Sequence, residues 1–428
     1  VILFLLKGLV RDRSRSLFPL LTVVAGVGLT VVGHAWVRGM ESELLRASAA
    51  FSTGHVKIAP RGAVSESDAA SADLALDRAG ALVGDLHRRY PALGWTPRIR
   101  FGGLLDLPDA AGETKAQAPV AGLAIDLLSP GSLEPGILGV GRAIVKGRMP
   151  RAAGEVLVSD QLFERLGLQL DGTATLISTT RFGSVATANL QVVGTVRFGV
   201  TAIDRGALVA DLTAIQRALD MDDAVSEVLG FYPDQIYRDA EARALAAAFN
   251  GDAAGRPSLP DPDLVPVMSP LRDDPGLATI LDLTAVLTQV QVAVFVVVMS
   301  IVLWNAGLMG SLRRYGEIGI RLAVGEQKGH IYRTLVAESL MIGVAGSVAG
   351  TAAGLAFAYY LQEHGVNVAP YLKNASMLIA DVLRAKITPG SLLVGFVPGV
   401  VSTLLGASIS GAGIYRRQTA RLMKEFEA

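Results

Sequence analysis

Residues 313–326 read RRYGEIGIRLAVGE and follow directly on a long apolar run. A membrane span should close in a short basic anchor and stop. Here the chain continues with helical periodicity: Glu317 lies four residues ahead of Arg321, and Ile318, Ile320 and Leu322 stand among the charges. Opposite charges at that spacing support a helix in water, whereas the apolar residues need something to cover them. A half-polar, half-apolar helix at the mouth of a membrane span therefore frames the rest of the chain.

Working outward, four segments have the length and polarity of membrane spans: 17–36, 286–310, 335–361 and 388–411. Each supplies about 20 mostly apolar residues. They raise the hydrophobic fraction of the 428 residues to 51% and the mean hydropathy to +0.43. The first could be read as a secretion signal, but its flank GMESELLRAS has no small-residue cleavage site and reads as continuing helix, so an uncleaved anchor is expected.

Lysines and arginines in the short loops set the expected orientation. Lys7, Arg11, Arg13 and Arg15 precede the first span. Arg313, Arg314, Arg321, Lys328 and Arg333 separate the second from the third, and Arg416, Arg417, Arg421 and Lys424 follow the fourth. The loop between the third and fourth has only Lys373, Arg384 and Lys386. Both termini and the opening segment are thus expected in the cytoplasm, with the long region between spans one and two outside.

The expected fold is four transmembrane α-helices with a large α+β domain inserted between the first and second. In order, residues 1–16 form an amphipathic surface helix, 17–39 a first span extending into a stalk, and 40–274 the exterior domain, in two subdomains. Residues 275–312 form a stalk and second span, 313–334 a cytoplasmic helix, 335–361 the third span, 362–387 an exterior loop, 388–411 the fourth span, and 412–428 a tail. Within the exterior domain, period-two runs predict strands at 55–60, 155–159, 173–179 and 189–199. Helical periods mark 73–90, 159–167, 211–221 and 237–249. Ser159 and Asp211 are N-caps directly after short strands. The stretches 62–73, 108–117 and 250–263 read as loops. Asp274-Pro275 starts a helix with no breaker between Gly276 and Gly307, about 60 Å long up to Tyr315 and twice the ~30 Å apolar core.

Several chemistries are absent from the sequence. No GxxxxGK[ST] phosphate loop occurs, and GEQKGH (325–330) has neither its spacing nor its hydroxyl. There is no HExxH or GxSxG. The five histidines are scattered, so no metal site is expected, and no cysteine is available for a disulfide, a thiolate ligand or a nucleophile. Zero net charge without a basic block argues against nucleic acid. Gly346, Gly350 and Gly354 make one face of the third span flat enough for close helix packing, and Pro398-Gly399 predicts a kink in the fourth. His34 is expected to snorkel or cap at the outer end of the first span. Gln289 and Gln291 are expected at headgroup level or against a partner helix. Glu338, near the start of the third span, reads as an interfacial anchor or a coupling group.

Taken together, the order of parts resembles the four-span ABC-transporter permeases of the MacB/FtsX-like superfamily, over nearly the whole chain. LLKGLVRDRSRSLFPLLTVVAGVGL (5–29) looks like that family's basic helix leading into the first span. RRYGEIGIRLAVGEQKGHIYRTLVAESLMIGVAGSVAGTAAG (313–354) is similar to its most recognisable block, with Glu317, Ile318, Gly319, Arg321, Ala323, Gly325 and Glu338 at matching positions. The exterior residues 147–178, 190–199 and 204–221 look most like the lipoprotein-releasing, LolC/LolE-type branch.

The resemblance implies a permease that dimerises with a second copy or a paralogue and carries no cofactor of its own. ATP and Mg would be bound by a separate cytoplasmic ATPase dimer, for which Arg314, Glu317, Ile318, Ile320, Arg321, Ala323, Val324 and Gly325 form the coupling helix. ATP-driven closure would then move the periplasmic domain of an inner-membrane protein. The preferred cargo is a lipoprotein taken from the membrane lipids and passed to a periplasmic carrier, with Val24, Val27, Val31, Val292 and Val296 lining a cavity between spans one and two. Those valines are equally readable as lipid-facing surface. The alternatives are an efflux permease with a periplasmic adaptor and an FtsX-like scaffold that activates a cell-wall hydrolase.

Overall fold

A computed structural model describes residues 13–65, 74–109, 112–252, 261–313, 315–371 and 380–416. The chain divides into two compact units. One comprises the described parts of Val1–Ser42, Asp282–Val366 and Leu383–Ala428, the other those of Glu43–Leu281 and Asn367–Val382. The amphipathic segment 1–16 and the tail 412–428 fall outside the residues whose side chains are described.

The first unit is a bundle of four apolar helices. Candidate spans are Leu17–Thr53, Pro275–Asn305, Lys328–His364 and Pro389–Gly411. The first helix is unbroken from Arg13 to Ser48 and the second from Pro275 to Arg313. At 1.5 Å per residue these measure about 54 and 58 Å, well beyond a ~30 Å apolar layer. Asp274 caps the second, its Oδ1 accepting from the Leu277 amide at 3.0 Å.

Glycines let these helices approach. A Cβ on Gly350 would meet the Val24 carbonyl oxygen at 2.7 Å and Val27 Cβ at 2.9 Å; one on Gly354 would meet the Gly28 oxygen at 2.8 Å and Val31 Cβ at 2.9 Å. Gly346 takes Val23 in the same way, at 2.8 Å. From the other side Val27 and Val31 are covered by Gly395 and Gly399 of the fourth helix. Pro398 lies inside that helix, where a proline leaves the carbonyl four residues back without its amide donor. Ser402 and Thr403 donate to the Gly399 oxygen at 3.0 and 3.2 Å, tightening the turn after it.

The second unit is built on a ten-stranded sheet. Its order is Pro266–Pro270, Val56–Pro60, Glu227–Phe231, Gly94–Pro108, Thr114–Ile125, Ala207–Asp211, Glu155–Ser159, Val185–Val196 and Ile144–Gly147, with Gly172–Thr179 pairing Gly94–Pro108 and Val185–Val196. Pairing is mostly antiparallel, with parallel contacts between Thr114–Ile125 and Ala207–Asp211 and between Glu155–Ser159 and Val185–Val196. Two strand-to-helix junctions position the helices on it. Ser159 accepts from the Leu162 amide at 3.3 Å and Asp211 from the Thr213 amide at 3.1 Å. The main core includes Ile58, Ile99, Leu105, Leu162, Leu176 and Ile215.

Four local expectations change, the first being that residues 62–65 of the expected loop 62–73 belong to the short helix Arg61–Ser65. Residues 114–117 of the expected loop 108–117 belong to the strand Thr114–Ile125, which pairs with Gly94–Pro108 as a long hairpin. The helix expected over 73–90 starts only at Ala79, because Leu76–Asp77 pairs with Ala224–Val225. Asp223 then supplies the helix start, its Oδ1 accepting from the Gly80 amide at 2.9 Å. Residues 328–334, expected in the cytoplasmic helix, form the first two turns of the third long helix.

His55 adds a pH dependence to the second unit. Its Nδ1 accepts from the Tyr232 amide at 2.9 Å and its ring stacks on Tyr232. Burial lowers its pKa from 6.5 to about 4, with Asp234 opposing and Arg238 assisting. The unfolded chain therefore binds the proton more readily. Neutral His55 contributes about 3 kcal/mol above pH 6.5, and that stability is lost as pH falls toward 4. His55→Gln should flatten the slope of unfolding midpoint against pH in this window; an unchanged slope would contradict the assignment.

Candidate functional site

The second helix ends at Arg313 and a short helix, Tyr315–Ala323, begins beyond it, with Arg314 outside the described residues. Its C-terminus closes as a Schellman motif: the Glu326 amide donates to the Arg321 oxygen at 3.0 Å and the Gly325 amide to the Leu322 oxygen at 3.1 Å. Gly325 has φ +98°, a conformation that a Cβ would strain. The chain then turns through Gln327 into the third helix at Lys328, where Ile331 is buried and Tyr332 lies against Gly411.

The turn holds its own charges. Arg321 Nε lies 3.2 Å from Glu326 Oε2, and His330 Nε2 is 3.7 Å from Glu326 Oε1. The expected partner of Arg321 was Glu317, whose side chain, with that of Ile318, falls outside the described residues. Glu326 reaches Arg321 because the Schellman turn folds it back over the last turn of the helix.

Beside this charged cluster, Ile320 is 66% and Val324 84% exposed. They are four residues apart, so they stand on one face. Ala323 and Gly325 are exposed next to them. The arrangement is a small apolar knob on a rigidly closed turn, ringed by charge, and it suits docking better than chemistry.

The other sequence candidates are dispersed through the bundle. Glu338 is half-buried and has an interaction partner. Gly346, Gly350 and Gly354 are buried at the contact with the first helix. Val27 and Val31 do not line an open cavity: they are 1% and 0% exposed, because glycines of the third and fourth helices close over them. Val24, Val292 and Val296 are half-buried. His34 is buried rather than snorkelling, with Nδ1 3.2 Å from Ser391 Oγ. Gln289 is exposed, whereas Gln291 packs over Gly33 of the first helix.

Sequence reasoning missed a second set of residues altogether. Arg98 and Glu134 are both 0% exposed and form a bidentate pair at 2.7 and 2.8 Å. Arg100 pairs with Glu227 at 2.9 Å. The available signal was WTPRIRF (95–101), a strand-like alternation with arginines where one face should be apolar.

Residues 290–419 match the family described as FtsX-like permease C-terminal. The chain is 30% identical over 110 residues to the macrolide export ATP-binding/permease protein MacB 1/2 of Paracoccus denitrificans (strain Pd 1222), covering 24% of this chain and 16% of that protein. It is 32% identical over 77 residues to the macrolide export ATP-binding/permease protein MacB of Hyphomonas neptunium (strain ATCC 15444), covering 18% and 12%. The matches thus span under a fifth of the curated relatives' length. The crystal structure of the periplasmic region of MacB from Actinobacillus actinomycetemcomitans aligns over 53% of this chain and 92% of that one, with 10% identity and a TM-score of 0.35.

Proposed function

We propose, for a chain that belongs to the MacB/FtsX-like ABC transporter permease superfamily, a mechanical role: it converts ATP-driven closure of an ABC ATPase into movement of its α+β domain. The observation that carries this is the exposed Ile320–Val324 knob on the closed turn between the second and third long helices. The ATPase would receive the knob in a groove, with Arg321 and Glu326 on the rim. The turn then lies in the cytoplasm and the α+β domain in the periplasm of an inner-membrane protein. The relatives are named as ATP-binding and permease in one chain, so the ATPase is either a separate subunit or a further domain. A second permease protomer completes the assembly.

Two cargo readings follow. Extraction of a lipid-anchored protein would use Val24, Val292 and Val296 as acyl-facing residues, with a periplasmic carrier receiving the cargo. Export of a macrolide-like compound is favoured by the names of the relatives, and a periplasmic adaptor would then be the partner. Purification in mild detergent separates them: a triacylated lipoprotein retained with the complex supports extraction, and an adaptor supports export.

The coupling role has its own test. Ile320→Glu with Val324→Glu removes two apolar contacts worth together about 3 kcal/mol or more, so recovery of ATPase activity with the tagged permease should fall by more than a hundredfold. Glu317→Lys should likewise abolish ATP-dependent function while leaving membrane insertion unchanged. Full ATPase recovery and activity in these variants would remove the coupling segment from the mechanism.

A further inference from the structure

The first helix does not simply end where the α+β domain begins. After Ser48 it passes into a π-turn, Ala49–Thr53, closed by Gly54 at φ +61°. A helix end leaves its last carbonyls without intrahelical donors. Here three of them are taken by two arginines of one strand. Arg98 Nη1 donates to the Ala50 oxygen at 2.7 Å, and Arg100 Nη2 donates to the Phe51 oxygen and, at 3.2 Å, to the Ser52 oxygen.

Thr96, Arg98 and Arg100 alternate along the strand Gly94–Pro108 and so share one face. Each is locked from behind. Glu134 holds Arg98 with both oxygens and accepts from Thr96 Oγ1 at 2.7 Å. Glu227, on the neighbouring strand, holds Arg100. Phe51 packs edge-on against Phe198 at 5.1 Å. Two positive charges thus sit at the negative end of the helix dipole, where cations are favoured.

A fully buried ion pair is a poor way to gain stability, since apolar residues of the same volume often do as well. What a guanidinium held bidentately does supply is direction: its remaining N–H groups point where the carboxylate fixes them. We infer that Arg98 and Arg100 form a clamp that makes the end of the first helix and the sheet one body, so that displacement of the helix is delivered to the domain rather than absorbed at the π-turn. Arg98 and Arg100 are positioning residues for the transmission. The inference rests on the mechanical reading above only in saying what the clamp transmits.

The test uses the full chain, which has no native cysteine to interfere with labelling. Spin labels at Arg46→Cys, on the helix end, and Lys115→Cys, on the sheet, report their separation; both parent side chains are exposed. The parent should give one narrow distance distribution. Arg100→Gln should at least double its width while the domain stays cooperatively folded at the temperature of the measurement. Arg98→Met with Glu134→Leu, which keeps the interior apolar, should broaden it as well while the domain stays folded. Widths equal to the parent's in both variants would overturn the clamp. In the ATPase-bound complex, ATP should shift the label separation between the sheet and a span position in the parent, and Arg100→Gln should lose that shift while retaining ATP hydrolysis. A shift that survives in Arg100→Gln would also overturn the clamp. A parent with a narrow distribution but no ATP-dependent shift would instead sink the mechanical reading and leave the clamp standing.

Discussion

Arg98→Ala is expected to cost the α+β domain roughly 3–5 kcal/mol and to lower its unfolding midpoint by about 10 °C. The size follows from what remains after the change. The Glu134 carboxylate would have no exposure to water and would be left with Thr96 Oγ1 as its donor. The Ala50 carbonyl would lose the donor it has at 2.7 Å. Desolvating an ion costs several kcal/mol, and only its partner offsets that. Glu134→Ala should be as damaging, because Arg98 would then be the orphan. Arg98→Met with Glu134→Leu should recover most of the loss, since neither charge is left behind. Calorimetry or denaturant unfolding of the three variants decides it. If the double replacement were as unstable as either single one, the penalty would come from lost packing rather than a stranded charge. A single variant within 1 kcal/mol of the parent would mean that water reaches the pair.

How far the sequence could be read depends on the distance over which each feature is determined. The four spans were legible because about 20 consecutive apolar residues need no partner to declare themselves. Ser159 and Asp211 were legible for a similar reason: a strand run, a capping side chain and a helical period follow one another within a few residues. Asp274-Pro275 announced the second helix in the same way. The start of the helix at Ala79 was not, because its capping oxygen comes from Asp223, 143 residues on. The strand Thr114–Ile125 begins TKAQAP, whose polar residues point outward from a hairpin that only the long partner strand reveals. Arg98 stood out as an anomaly in WTPRIRF, but nothing nearby names Glu134, 36 residues away, as its partner. His34 was assigned to the interface because Ser391, 357 residues distant, could not be seen.

The knob at 320–324 was half legible. The sequence displayed the helical period and the apolar residues, and the family resemblance suggested what they meet. It did not display the Schellman closure at Gly325 or the Arg321–Glu326 ion pair. Both follow from a left-handed residue that only the folded chain shows to be needed there. The valines of the first span are the opposite case. An apolar residue in a span has the same signature whether it faces lipid, cargo or protein. Val27 and Val31 turned out to be knobs between glycines of two other helices, and no local pattern in 24–31 distinguishes that role.

That packing leads to the second large effect. Gly350→Leu should destabilise the helix bundle by about 3 kcal/mol, the upper end of what overpacking in a filled interior costs. Even the first added carbon would stand 2.7 Å from the Val24 carbonyl oxygen and 2.9 Å from Val27 Cβ. A flexible side chain could turn away, but a helix carbonyl cannot, so the first and third helices would have to separate along their length. Val27 cannot retreat either, because Gly399 closes on it from the fourth helix. Val348→Leu is the matched control: it adds bulk to the same helix on a side that is 57% exposed and should leave the melting of the detergent-solubilised chain unchanged. Gly350→Ala should fall between the two, since a single methyl against a fixed carbonyl already requires a shift of several tenths of an ångström. Equal melting of Gly350→Leu and Val348→Leu would mean that the first and third helices are not held at this contact. If the first helix is the rod that moves the domain, loosening it here should also weaken ATP-dependent transport more than it weakens ATP hydrolysis. Measuring both on the Gly350→Ala variant, which retains the bundle, separates a loosened rod from an unfolded one.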